Sequence, residues 1–99
     1  MVIIMLHILL NSPYKISIDS LLSLSSIEDD LICIQDGVIL GVSNNNFLKK
    51  FHAFFKVIYF LKEDLYARGL YRFIDKPDVR INYNYFVQLT IKHKKNITW

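Results

Sequence analysis

The sequence predicts an α/β fold: a single small domain over residues 1–99, with a parallel sheet of four to five strands and helices on both faces. Three observations predict it. Short apolar runs, without the polar alternation of a half-exposed strand, recur along the chain. Segments with helical spacing of apolar side chains separate those runs, and this alternation is the pattern of parallel sheets. A length of 99 residues, 53% of them hydrophobic, supports one core but not two.

Each element has a local reason. Residues 2–10 are apolar apart from His7 and suit a strand buried on both faces, which Asn11-Ser12-Pro13 ends. In SIDSLLSLSSI, Ser17 is placed to cap a helix with Asp19 in its first turn, and Ile18, Leu21, Leu22 and Leu24 supply the apolar face. Glu28-Asp29-Asp30 closes that unit as a polar boundary. Leu31 to Ile34 is the second strand, closed by Gln35-Asp36-Gly37. Val38 to Val42 is a short helix or turn before the loop SNNN.

Residues 47–55 read as a helix with Phe47, Leu48, Phe51, Phe54 and Phe55 on one side. KVIYFL, 56–61, is the third strand. A short helix starts at Glu63 or Asp64 and ends at Gly69. KPD is a turn, and Val79 to Ile81 a fourth strand. Asn82 caps a last helix over about 83–95, and Ile97-Thr98-Trp99 adds a fifth strand.

Composition excludes several classes of function. The formal net charge of +3 is too small for a dominating phosphate-binding field. One cysteine closes no intramolecular disulfide, so nothing indicates an oxidising compartment. MVIIMLHILL has no basic leader and no small-residue cleavage site, and it is far shorter than the ~20 residues of a membrane helix. A cytoplasmic location with no membrane partner is expected.

Candidate chemistry is sparse. No G-x-G-x-x-G or G-x-x-x-x-G-K-[ST] signals a nucleotide cofactor, and no Cys or His pair has metal-ligand spacing. No cofactor or metal is therefore expected. His7, His52 and His93 fall on different elements. His7 reads as a hydrogen-bonded core or edge residue rather than a base, and His52 lies toward the polar flank of its helix. Cys33 sits within LICI, with Asp29, Asp30 and Asp36 as its nearest charges. Apolar walls and carboxylates disfavour a thiolate, so Cys33 reads as structural and no catalytic residue is assigned.

In parallel sheets, ligands bind beyond the C-terminal strand ends. Asn11-Ser12, Gln35-Asp36-Gly37 and Lys62-Glu63-Asp64, with Arg68 a turn onward, belong there. Capping and turn chemistry is the plain account of these groups. The tail IKHKKNITW offers cations and an aromatic ring to nucleic acid, or it is simply a solvated helix end. On the last helix Tyr83, Phe86, Val87, Thr90 and Ile91 form one arc, and Tyr85, Leu89 and His93 the adjoining one. Only Asn84, Gln88, Lys92 and Lys95 make a polar stripe, so apolar surface is left for a subunit interface.

MLHILLNSP, LICIQDGVI, KVIYFLKEDLYARGL and INYNYFVQLTIKH with a following Trp, in this order and nearly end to end, resemble the DsrH/TusB family. Two departures are visible: a few residues precede Met5-Leu6-His7, where the family usually begins, and the Asn-rich loop is plain. The resemblance implies the small parallel α/β fold shared with DsrE and DsrF. It also implies a heterohexamer with TusC-like and TusD-like subunits, two copies of each. That complex takes persulfide sulfur from a TusA-like donor and passes it to a TusE-like acceptor for 2-thiolation of the tRNA wobble uridine. The sulfur-carrying cysteine belongs to the TusD-like chain. Some relatives carry a cysteine early in the first helix, about where Leu21 stands here, and Cys33 does not replace it.

The expectation is a non-catalytic subunit of a sulfurtransferase complex with no direct tRNA contact. Gln35, Asp36, Lys62 and Arg68 at the strand ends, and Tyr85, Leu89 and His93 on the last helix, are the expected partner-contacting residues. Two alternatives stand beside it: an autonomous persulfide carrier using Cys33, and a small RNA-binding module using the basic tail.

Overall fold

The computed structural model describes residues 4–42, 46–74 and 79–99. Five strands form one sheet among them: β1 Met5–Leu9, β2 Asp30–Cys33, β3 Val57–Leu61, β4 Val79–Ile81 and β5 Lys95–Thr98. Their order is β4-β3-β2-β1-β5, and every neighbouring pair is parallel. The helices are α1 Ile18–Ser23, α2 Asn46–His52, α3 Lys62–Ala67 and α4 Tyr83–Lys92, with 3-10 turns at Pro13–Lys15, Gln35–Gly41 and Tyr71–Phe73.

The strand order explains how the helices divide. From β1 to β4 the chain steps in one direction, and it then jumps back over the sheet to reach the far side of β1. Right-handed crossovers put the first three connections on one face and the fourth on the other. The core agrees. Leu21 and Leu22 of α1, Leu48 and Phe51 of α2, and Leu65 of α3 pack with Leu9, Leu31, Cys33, Ile58 and Phe60 of the strands. The second face is smaller: Leu6, Ile32, Ile81 and Leu89 are buried there, with Phe86, Ile8, Ile34 and Tyr59 partly covered. A single helix serves a five-stranded face.

Several local expectations hold. Ser17 caps α1, its Oγ accepting from the Ser20 N–H at 3.2 Å. Asn82 caps α4 by accepting from the Tyr85 N–H at 2.9 Å. Gly69, at φ 66°, ends the α3 turn in the left-handed region. Residues 43–45 of the SNNN loop, the KPD turn, and the first residues of the strand expected over 2–10 lie outside the described residues, and the fourth loop residue, Asn46, opens α2.

Other expectations are corrected. The helix expected over 47–55 runs Asn46–His52, so Phe54 and Phe55 follow it in a turn. Leu24, expected on the buried face of α1, is its exposed C-cap. The last helix stops at Lys92 instead of 95, because His93 leaves helical geometry at ψ 131°. Lys95 already belongs to β5, so Lys95–Thr98 of the basic tail is an edge strand paired to β1 from Met5↔Lys95 to Ile8↔Thr98, while Lys92 stays in the last turn of the helix.

Gly37 marks the tightest point of the first core. A Cβ built there stands 2.0 Å from the Leu9 carbonyl oxygen. Replacing Gly37 with Ala should therefore cost about 3 kcal/mol or more in urea unfolding, since backbone must move. Gly69→Ala meets nothing within 4 Å. It should cost only about 1–2 kcal/mol, from the left-handed backbone alone.

Candidate functional site

Two neighbouring carboxylates at the start of β2 organise the polar interior. Successive strand residues point to opposite faces, so Asp29 and Asp30, at the entry of β2, serve different sides. Asp29 is buried. Its Oδ1 accepts from the Met5 N–H, and its Oδ2 accepts from the Ser26 N–H, each at 3.0 Å. The same Oδ2 meets Nε2 of His7 at 3.0 Å. On the other side of the ring, Trp99 Nε1 donates to His7 Nδ1 at 3.1 Å. An indole only donates, so the His7 proton belongs on Nε2, aimed at the carboxylate. His7 is thus the hydrogen-bonded core residue expected.

Asp30 works on the α4 side. Its Oδ2 lies 3.0 Å from Nε2 of His93, whose Nδ1 lies 2.8 Å from the Leu89 carbonyl oxygen. Both ring nitrogens face oxygen acceptors. The pair clamps the end of α4 to the start of β2. Asp30 Oδ1 is buried and meets no hydrogen-bond partner among the described residues. Close by, burial, then the Asp30 charge, then Tyr85 push the Tyr59 phenol up to about 12. Its ring lies 5.9 Å from that of Tyr85.

At the opposite end of the strands, the expected polar cluster is joined. Gln35 has φ 49°, a strained value for a residue with a side chain. Its N–H donates to Asp64 Oδ2 at 2.6 Å, which holds the bend. Arg68 bridges from Nε to Asp36 Oδ1 at 3.1 Å and from NH1 to Asp64 Oδ1 at 3.6 Å. Glu63 accepts from the Tyr83 N–H at 3.0 Å and so ties α3 to the start of α4. Gln35, Asp36 and Arg68 therefore stand together, with Asp64 as the link between them. Lys62 is exposed on the first turn of α3.

The α4 residues divide differently from the expectation. Leu89 and His93, expected to face a partner, are buried within the chain, at 3% and 7% exposure. The outward side instead carries Tyr83, Val87 and Ile91, spaced four apart, with Ile91 78% exposed. Tyr85 is exposed at the rim of the sheet.

Sequence reasoning missed the two Asp–His pairs. Glu28-Asp29-Asp30 looks like a solvated boundary, yet two carboxylates at a strand entry must point to opposite faces, and two histidines in apolar settings each need a partner. Cys33 lies fully buried among Leu9, Leu31, Val38 and Phe60. Among the described residues, no group of three or more His, Cys, Asp or Glu could hold a metal.

The five-stranded parallel sheet of order β4-β3-β2-β1-β5, with helices on both faces, makes this a small α/β protein of the predicted class. The crystal structure of the ychN protein from E. coli superposes with a TM-score of 0.72 at 18% identity, covering 99% of this chain and all of that one. A family model described as DsrH like protein matches residues 11–96. Protein TusB of Buchnera aphidicola subsp. Acyrthosiphon pisum is 41% identical over 95 residues, 96% of this chain and 100% of that protein. Protein TusB of Escherichia coli is 41% identical with the same coverage. The chain belongs to the DsrH/TusB family.

Two measurements check the polar interior. Asp29→Ala strands three donors and should cost about 3 kcal/mol or more by urea unfolding followed with circular dichroism. Trp99→Phe, which keeps a ring but loses the indole N–H, should cost about 1 kcal/mol. The second concerns alkaline pH. A phenol raised in the folded state binds its proton longer than in the unfolded chain, whose tyrosines release theirs near 10. Stability should fall between pH 10 and about 12. Tyr59→Phe should flatten that slope, and ultraviolet titration of the folded protein should lose its latest tyrosine transition.

Proposed function

We propose that this chain is a non-catalytic subunit of a cytoplasmic sulfur-relay complex that serves 2-thiolation of the tRNA wobble uridine. In this reading it assembles with TusC-like and TusD-like subunits, two copies of each. The complex accepts persulfide sulfur from a TusA-like donor and hands it to a TusE-like acceptor. The family to which the chain belongs supports the pathway.

One observation carries the subunit role. The chain's only thiol is at 0% exposure, packed between strand and helix residues of the larger core. A persulfide carrier must present sulfur to a donor and then to an acceptor, and it works as an accessible thiolate. A sulfur atom behind Leu9, Val38 and Phe60 can do neither without opening the core. The carrier cysteine therefore belongs to a partner, and this chain contributes surface. The exposed Tyr83, Val87 and Ile91 stripe, together with the sheet face that α4 leaves partly covered, supplies apolar area of the kind subunit contacts use. The linked cluster of Gln35, Asp36 and Arg68, with Lys62 on the first turn of α3, lies at the strand ends where this fold class places its sites.

The test is co-expression with the TusC-like and TusD-like chains, sizing of the product, and measurement of wobble-uridine thiolation in cells lacking the native chain. Cys33→Ala should leave thiolation near normal once the complex assembles, with a stability loss of about 1–2 kcal/mol from the small cavity. Abolished thiolation in an intact complex would refute the subunit role. So would a gain of one sulfur on the isolated chain after incubation with a persulfide-loaded donor. Val87→Glu and Ile91→Glu on the outer stripe should weaken assembly at least tenfold while leaving the isolated chain's fold unchanged by circular dichroism.

A further inference from the structure

All three arginines of the chain gather at one corner of the fold. Arg68 follows α3, Arg72 lies in the 3-10 turn after it, and Arg80 lies on the edge strand β4. Three aromatic rings share the corner. Tyr66 and Tyr71 stack at 4.2 Å between centroids and 6° between planes. The Arg80 guanidinium carbon stands 4.9 Å from the centre of the Tyr71 ring, and that of Arg72 stands 5.2 Å from the Phe73 ring. Tyr66 is 56% exposed and Phe73 45% exposed, so these rings are a surface and not a core.

Among the described residues the charge balance of the corner is positive. Asp36 and Asp64 are engaged by Arg68, and Glu63 accepts from the Tyr83 N–H. Lys62 precedes Tyr66 by four residues on α3 and is exposed on the same side. Arg72 is also exposed, and Arg80 spends one amino group on the Ile74 carbonyl at 3.0 Å while its buried Nε meets no acceptor among the described residues.

We propose that Tyr66, Tyr71, Arg72 and Arg80, flanked by Lys62, form a stacking platform for single-stranded RNA. The chemistry is general. An open tyrosine face backed by a second ring accepts an unpaired base of any identity, and planar guanidiniums beside it pair with phosphate. A protein partner would be served better by the apolar α4 stripe than by a pre-stacked tyrosine pair ringed with cations. The platform is separate from the basic tail, whose Lys95–Thr98 forms β5 at the opposite edge of the sheet from β4.

Fluorescence anisotropy of a labelled short oligouridylate, titrated with the full chain and with the co-purified complex, tests this. Saturable binding is expected, and three phosphate contacts should weaken it about twentyfold from about 50 to about 200 mM salt. Tyr66→Ala and Arg72→Ala, both on the surface, should each lower affinity about tenfold with unchanged circular dichroism. Neutralising Lys92, Lys94 and Lys95 together should change it less than threefold. Absence of saturable binding in both preparations overturns the proposal. Binding that survives Tyr66→Ala and Arg72→Ala but fails without the tail lysines also overturns it. Loss of complex assembly in these two variants, with no RNA bound by the parent, would mark the corner as a protein contact instead.

Discussion

The fold hangs on a pair of adjacent carboxylates. Asp29 gathers the start of β1, the turn before β2 and the His7 ring into one buried knot, and through His7 it reaches Trp99 beyond β5. Asp30, one residue on, reaches through the sheet to the end of α4. Neither carboxylate could be moved by one position without exchanging faces. Two buried hydrogen-bond knots, back to back, therefore fix the register of the central strands and seat the one helix of the second face.

That second face sets the terms on which the chain meets other molecules. Three helices and the 3-10 turns, Gln35–Gly41 the longest of them, crowd the first side, and the thiol is sealed beneath them. Across the sheet, α4 alone covers Leu6, Ile32 and Ile81, and Ile8, Ile34 and Tyr59 stay partly open. The asymmetry follows from topology: three crossovers advance in one direction and a single one returns. A domain built this way has a finished interior on one side and an unfinished one on the other.

Much of the architecture was legible in the residues. The apolar runs, Ser17 and Asn82 as caps, and Gly69 as a stop are local signals, and local signals survive folding. What failed was long-range. The helical period of YNYFVQLTIKH continues past Lys92 in sequence, but the His93 ring bonds to Asp30, sixty-three residues away. Both flanks of the last helix carry apolar side chains on a wheel, and the clamp together with the packing of Leu89 and Phe86 on the sheet sets which one turns inward. KNIT has a weak strand pattern and becomes one because β1 offers it an edge. At the strand ends, Gln35, Asp36, Asp64 and Arg68 were legible as a group, but not that Asp64 is the link between the Gln35 N–H and the Arg68 guanidinium. The arginine–tyrosine corner was not legible, because Tyr66, Tyr71 and Arg80 meet only when β4 lies beside β3.

The His7–Trp99 contact joins residues ninety-two positions apart. Strand β1 sits between β2 and β5, so one of its flanks is covered only when the segment after α4 reaches it. Backbone groups along such a flank recruit any extended segment that arrives earlier. Loop closure over this span is also slow compared with the local pairings of β1, β2 and β3. The β1–β5 pairing is consequently the least local step in assembling the sheet, and until it forms the flank of β1 is an open edge.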